Sequence, residues 1–452
     1  MKDISARPGE RAVEPEDKVF DLVVVGGGAA GLMAAGTAAR DGHSVLLIEK
    51  MEKTARKVNI TGKGRCNLTN MCTVEEFLTK VRANGDFFSH SLKTFTPNAL
   101  CQFFKKQGVK LEEEAGRRIF PKGGKAYEIS DALRWWCSDH GVVVMLSTKV
   151  EEILTAGGRV YAVGYTNKRG FRRKAEARNV LIATGGASYP LTGSTGDGYG
   201  MAHRVGHNII PIRPSLVALR SDHPKMAALA GLRLKNVRAE LMIDGEVVAS
   251  EFGEMEFSNR GLDGAVILRL SRAAVDALIE EKKVEIALDL KPALTEEILL
   301  ERIAREIAQL EPQAFAVELM RKLLPKNLIF TVADGAGVGI KTPVSRLTDE
   351  EIGRLVAAMK RVVFPIVDYG PWDEAIVTAG GVSTDQVDPQ TLQSRLVKGL
   401  YFAGEVLDID ADTGGYNLQI AFSTGRLAAQ LKQASDLPNS PTELHSNASL
   451  HA

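Results

Sequence analysis

The hydrophobic positions of the chain fall into two textures. From Phe20 a continuous apolar run, FDLVVV, is followed by a glycine turn, an alanine-rich stretch with helical spacing over residues 31–41, and a second apolar run over 44–48. Short apolar runs bounded by turn signals are buried strands, and a strand, a crossover helix and a strand form one βαβ unit. Runs at 142–146, 180–183 and 399–402 have the same character, the last followed by a helical pattern over 416–433. They predict pieces of one parallel sheet. Between about 204 and 345 the texture changes to alternating strands at 237–243, 246–250 and 284–288, then to helical spacing around 295–310 and 314–323. The pattern therefore predicts a domain built from both ends of the chain, 19–203 and 346–435, interrupted by a β-rich and helical insertion over 204–345. Residues 1–18 and 436–452 are rich in Pro, Ser, Asn and charge, and read as mobile tails.

Composition adds exclusions. With 452 residues, 44% hydrophobic and 25% charged, the chain has room for two or three domains and is neither collagen-like nor wholly disordered. Its net charge of +1 gives no global pull toward nucleic acid or an anionic membrane. Four cysteines are too few for a disulfide scaffold and include no CxxC pair, so a reducing cytoplasm is the expected compartment. The polar first 18 residues carry no secretory h-region, and nowhere is there an apolar run of about 18 residues, so no membrane span is expected. His203 and His207 have the spacing of a metal pair but no third ligand nearby, and no metal is expected.

The chemistry begins at the first glycine turn. Gly26, Gly28 and Gly31 fill the GxGxxG positions between a strand and a helix, with Ala29 and Ala30 between the second and third glycines as further cofactor-binding candidates. The first glycine permits the turn, the second lets a pyrophosphate approach the backbone, and the third lets helix and strand pack closely. Glu49 ends the second strand, placed to accept hydrogen bonds from a ribose, with Lys50 beside it. Dinucleotide binding follows. The other chain end resembles the glutathione-reductase-like FAD fold: a strand ending in Gly404-Glu405, then Gly414-Gly415-Tyr416-Asn417 opening the last helix. That resemblance implies a carboxylate beside the ribityl-pyrophosphate and a helix N-terminus facing the flavin, where its dipole stabilises negative charge. Thr184, Gly185 and Gly186 directly after a strand, and Val150 after another, sit where such folds meet the cofactor again. In ARKVNITGKGRCNLTN, over 55–70, the basic residues, Gly64, Arg65 and Asn67 suit an anionic cofactor or substrate. Cys66, among glycines and cations that would lower a thiol pKa, is the candidate proton donor, with Arg65, Tyr416 and Asn417 positioning. Cys66 and Cys72 are spaced unlike the pair of flavin disulfide reductases, so a redox disulfide is rejected. Trp135-Trp136 reads as core rather than a base-stacking platform, and Arg172-Arg173-Lys174 as a solvated turn.

Four ordered segments, GGGAAGL at 26–32, TGKGRCNLTN at 61–70, ATGGASYPLTGSTGDGYG at 183–200 and AGEVLDIDADTGGYNLQIAFSTG at 403–425, resemble a bacterial flavoprotein family. Its members are described as aminoacetone oxidase-like, dehydro-bile-acid reductase-like and ribosomal-RNA dihydrouridine synthase. The resemblance implies an α/β fold: a Rossmann-type, glutathione-reductase-like FAD-binding domain with an inserted β-barrel and small helical subdomain. One segment departs, since Glu256 to Ala265 replaces a His- and Ser-Gly-Pro-containing stretch, which puts the substrate in doubt. No second GxGxxG occurs, because Gly335-Ala-Gly-Val-Gly339 has the wrong spacing, so NADPH or NADH would dock transiently. The expected reaction is hydride transfer from NAD(P)H through FAD to an activated C=C bond of a small molecule. Uridine reduction in ribosomal RNA, oxygen-dependent amine oxidation and a non-catalytic flavin role stay open.

Overall fold

The computed structural model describes residues 18–167 and 169–432; the expected tails otherwise lie outside them. The described chain forms two compact units, one running to Ile212 and resuming at Thr378, the other Arg213–Val377.

In the first unit, all five apolar runs become strands of one parallel sheet. Strand Leu22–Val25 is central, flanked on one side by Val45–Ile48 and then Val143–Met145, and on the other by Val180–Ile182 and then Leu400–Phe402. Every residue of the three inner strands is buried, as a parallel sheet covered on both faces requires. Two helices matter for the site: the glycine-loop helix Ala29–Arg40 and the C-terminal helix Tyr416–Ala428. They cross where a Cβ on Gly425 would meet the Ala30 carbonyl oxygen at 2.4 Å, so only glycine permits this approach. Trp136 packs against Gly36 of the first helix in the core, as its pattern predicts, while Trp135 is exposed. A separate antiparallel sheet of Lys149–Ala156, Arg159–Thr166 and Arg172–Glu176 was not foreseen. It corrects the reading of Arg172-Arg173-Lys174, which form an edge strand, with Arg172 near Glu151 and Lys174 paired to Glu176.

The second unit is built on a seven-stranded antiparallel sheet in which Arg233–Ile243 pairs with Glu246–Phe257, the middle strand, on one side and with Val284–Asp289 on the other. Its two edge strands, Val362–Ile366 and Asp368–Tyr369, are consecutive pieces of chain. One run therefore pairs with Val284–Leu288 at its start and with Leu219–Arg220 at its end, closing the sheet into a barrel. Helix Ala265–Ile279 buries Val266, Ile267, Leu270 and Ala274 in the barrel's core, which helices Glu296–Ile307, Ala316–Leu323, Ile329–Ala336 and Asp349–Lys360 extend.

The unit boundaries differ from the expected 204 and 345. Residues 204–212 stay with the first unit, and 346–377 belong to the second. The reason is packing: Leu355, Val356 and Met359 of helix Asp349–Lys360 join the same core as Leu299 and Ile303, and Val362–Ile366 is a barrel strand. The segment 256–265 forms a tight turn between strands Glu246–Phe257 and Gly261–Asp263, closed by the Ser258 amide donating to the Gly261 carbonyl at 2.8 Å.

Candidate active site

The site grows from the glycine turn of the first unit. Gly26 has φ +103°, and a Cβ there would lie 2.6 Å from the Ala183 oxygen. A Cβ on Gly31 would lie 1.9 Å from the Gly26 oxygen, whereas one on Gly28 would meet nothing within 4 Å. The outer glycines thus serve close packing and the middle one leaves open space for a ligand. Gly28 caps the glycine-loop helix without a side-chain bond and no acid stands in its first turn, so the amides of Ala29, Ala30 and Gly31 keep their positive end uncompensated. Gly415, at φ +98° and pressed against the Thr69 backbone, caps the C-terminal helix in the same bare way.

Two carboxylates stand at the strand ends. Glu49 accepts from the Gly27 amide at 2.7 Å and the Met51 amide at 2.8 Å. Burial pushes its carboxyl above the ordinary value, outweighing those amides and the charge of Lys50. Lys50 itself is engaged by Thr195 and Asp197. The segment before Val150 runs alongside, with the Thr148 amide donating to the Glu49 carbonyl at 3.0 Å. Glu405 accepts from Lys57 Nζ at 2.7 Å, from the Ser188 hydroxyl at 2.9 Å and from the Thr378 amide at 2.8 Å. Burial opposes its ionisation, yet the Lys57 charge and these donors win and hold it below the usual carboxylate range. Thr378 Oγ1 also accepts the Ala187 and Ser188 amides, which pins the 184–188 loop. Only glycine fits at 186, where a Cβ would lie 2.3 Å from Thr378 Oγ1 and 2.9 Å from Glu405 Oε1. Gly404, at φ +79°, backs onto Ala30. The structure thus gathers Gly26–Gly31, Glu49, Thr184–Gly186 and Gly404–Glu405 into one cradle.

Other expected residues are placed differently. Cys66 is fully buried in the core, and burial pushes its thiol up to about 12, opposite to the lowering expected from neighbouring cations. The nearest cation in sequence, Arg65, pairs instead with Glu114 and lies over the Phe120 ring, 4.5 Å from its centroid. The Cys66 thiol therefore faces the core rather than open space. Gly64 lies beside Ala126, whose amide its carbonyl accepts at 2.9 Å. The Asn417 side chain braces its own loop, accepting from the Ala411 amide at 3.0 Å and donating to the Ala411 carbonyl at 2.8 Å and the Asp412 carbonyl at 3.3 Å. Tyr416 packs edge-on against Phe77 and shares a hydrogen bond with the Cys72 thiol; burial, then the Cys72 and Asp412 charges, push its phenol up to about 12. His207 lies beyond the end of the helix carrying His203 and bonds Ser394. Among the described residues no group of three or more potential metal ligands exists, and no helix is long and apolar enough to cross a membrane.

Pattern reading missed Lys57, Ser188 and Thr378, the residues that fix Glu405. The signals were that Lys57 lies in the basic 55–70 segment and Ser188 in the glycine-rich 183–200 segment. A dinucleotide fits this cradle: Thr54 Oγ1, against Gly27, is buried without a hydrogen-bond partner, and the space over Gly28 is open. Asn67 Oδ1 is likewise buried without a partner, beside Gly62.

Fold and cradle together define a flavoprotein oxidoreductase built on a Rossmann-type FAD-binding domain. Residues 20–431 match the HI0933-like protein Rossmann domain family, and the chain belongs to that family. It is 32% identical to the 3-dehydro-bile acid delta(4,6)-reductase of Clostridium scindens, over 90% of this chain and 97% of that protein. It is 29% identical to the ribosomal RNA dihydrouridine synthase of Haemophilus influenzae, again over 90% and 97%. Among solved structures, the 3-ketosteroid delta1-dehydrogenase from Sterolibacterium denitrificans shares the fold with a TM-score of 0.52 at 14% identity, covering 91% of this chain and 99% of that one.

Proposed function

We propose that this protein is an FAD-dependent reductase that saturates an activated C=C bond with hydride taken from NADPH or NADH. The observation that carries the reading is its full-length similarity to a delta(4,6)-reductase and to dihydrouridine synthases, names whose shared chemistry is hydrogenation of C=C. FAD bound in the cradle supplies hydride transfer at its N5. Glu49 and the amides of Ala29–Gly31 would hold the adenosine ribose and pyrophosphate, and Glu405 would accept from a further hydroxyl of the dinucleotide. The bare N-terminus at Gly415 stabilises negative charge developing on the ring. Tyr416 takes the proton-donor role from Cys66, because a phenol held protonated across the neutral range keeps its proton until the acceptor needs it. A small enone is the favoured acceptor, and uridine in ribosomal RNA is the second, supported by the two dihydrouridine synthases at 29% and 28% identity.

The test is an anaerobic absorption spectrum before and after NADH or NADPH, followed by reoxidation with conjugated steroid enones or unmodified ribosomal RNA. Bleaching of a flavin band and its return with one acceptor class supports the reading and picks the substrate. Peroxide release from amines without NAD(P)H would replace it with an oxidase.

A further inference from the structure

Lys57 and Glu405 are 348 positions apart in sequence, yet their charged ends meet at 2.7 Å, with both side chains about one-fifth exposed. Hydrogen-bond capacity around this pair is incompletely used. A carboxylate offers about four lone-pair sites. Oε1 of Glu405 accepts from Ser188 and Thr378, filling its two, while Oε2 accepts from Lys57 alone. An ammonium has three donors; Lys57 directs one to Oε2 and one to Ser188 Oγ at 2.7 Å. One acceptor site and one N–H therefore remain side by side.

The surroundings place this pair at the cradle. Lys57 follows Ala55, whose amide donates to the Gly27 carbonyl at 2.8 Å, and Glu405 follows Gly404, which backs onto Ala30. Lys57 thus comes from the segment on one side of the glycine turn and Glu405 from the strand on the other. A spare donor beside a spare acceptor matches an alcohol, which donates through its hydrogen and accepts through its oxygen.

We propose that Lys57 and Glu405 act as one hydroxyl-gripping pair in which Lys57 donates to, and Glu405 accepts from, a single alcohol group of the bound dinucleotide. This rests on the FAD reading above. Lys57 has a second task as a positioning residue, since it keeps the Glu405 carboxylate ionised and aimed. The gripped alcohol belongs either to the ribityl chain or to the adenosine ribose, and analogues separate the two.

The experiment is a fluorescence titration of the apoprotein with FAD and with analogues each lacking one ribityl or ribose hydroxyl. Wild type is expected to lose about tenfold to a hundredfold in affinity for one analogue only, as for a hydrogen bond to charged groups. Lys57→Met should weaken FAD by a similar factor and bind that analogue and FAD alike, whereas Lys57→Arg should partly restore the difference. Circular dichroism of the apo variants checks folding, and if Lys57→Met does not fold, the analogue series on wild type decides. The proposal is overturned if no single deoxygenation weakens wild-type binding, or if folded Lys57→Met binds FAD as wild type does. Failure of wild type to bind FAD at all would instead overturn the cofactor reading on which this inference rests.

Discussion

The surroundings of Glu49 and of Glu405 make an instructive pair. Both carboxylates follow a strand of the same parallel sheet, both accept backbone amides and both are pushed up by burial, yet one lies above the ordinary value of 4.5 and the other below it. The difference is a counter-charge. Glu49 has its neighbour Lys50 turned toward Asp197, while Glu405 receives Lys57 directly. Amides alone do not offset the desolvation of a buried carboxylate; an ammonium with a hydroxyl and an amide does.

The largest perturbation strikes the turn beneath both regions. Gly31→Ala forces a Cβ to 1.9 Å from the Gly26 oxygen, a backbone atom that cannot swing away. It is expected to destabilise by about 3 kcal/mol or more and to abolish flavin binding, read by urea unfolding and by flavin content after purification. If both stay normal, the close packing at this turn is not obligatory.

Lys57→Met separates the two regions. It strands Glu405 without a counter-ion, and the apoprotein is expected to lose about 2–3 kcal/mol at neutral pH, discounted from the fully buried case because the pair is partly exposed. The loss should shrink as pH falls below 4.5, since a depressed carboxyl stabilises above its unfolded value and that stability disappears as pH falls through the folded one. Denaturant midpoints across pH 3 to 7 check this.

Glu49→Gln sharpens the contrast from the other side. A raised carboxyl makes its ionised form a burden on the folded state at neutral pH, relieved as pH falls through the raised value toward 4.5. The apo variant should therefore equal or exceed wild type at pH 7 and lack the wild-type gain on mild acidification, while FAD affinity falls about tenfold for want of a charged acceptor. A neutral-pH stability loss comparable to that of Lys57→Met would erase the distinction. The smallest effect belongs to Cys66→Ala: about 1 kcal/mol from a small core void, with flavin reduction unchanged. A selective loss of turnover with intact stability would return Cys66 to the chemistry.

What pattern reading recovers is what local periodicity encodes. The five sheet strands are uninterrupted apolar runs, and the glycine turn with Glu49 lies within one βαβ unit, so both are legible. Val362–Ile366 alternates inward and outward over only five residues and follows a helix that resembles the first unit's surface helices; nothing local says which core they join. Lys57 and Glu405 are joined only by the tertiary fold, so their pairing has no signature in spacing. Cys66 misled because proximity in sequence to Arg65 was read as proximity in charge, whereas Arg65 turns to Glu114 and the thiol turns inward.

The closing run of the barrel also sets a timetable for synthesis. Strand Leu219–Arg220, already paired with Gly261–Asp263, gains its outer neighbour only from Asp368–Tyr369, and Val180–Ile182 gains its outer neighbour only from Leu400–Phe402. A chain emerging from the ribosome therefore carries two open sheet edges until residues 368–402 have been made, and both are sealed by that stretch. Truncation near residue 360 would leave each unit short of the strand that completes its sheet, so a nascent or prematurely terminated product is the form of this protein most exposed to edge-to-edge association.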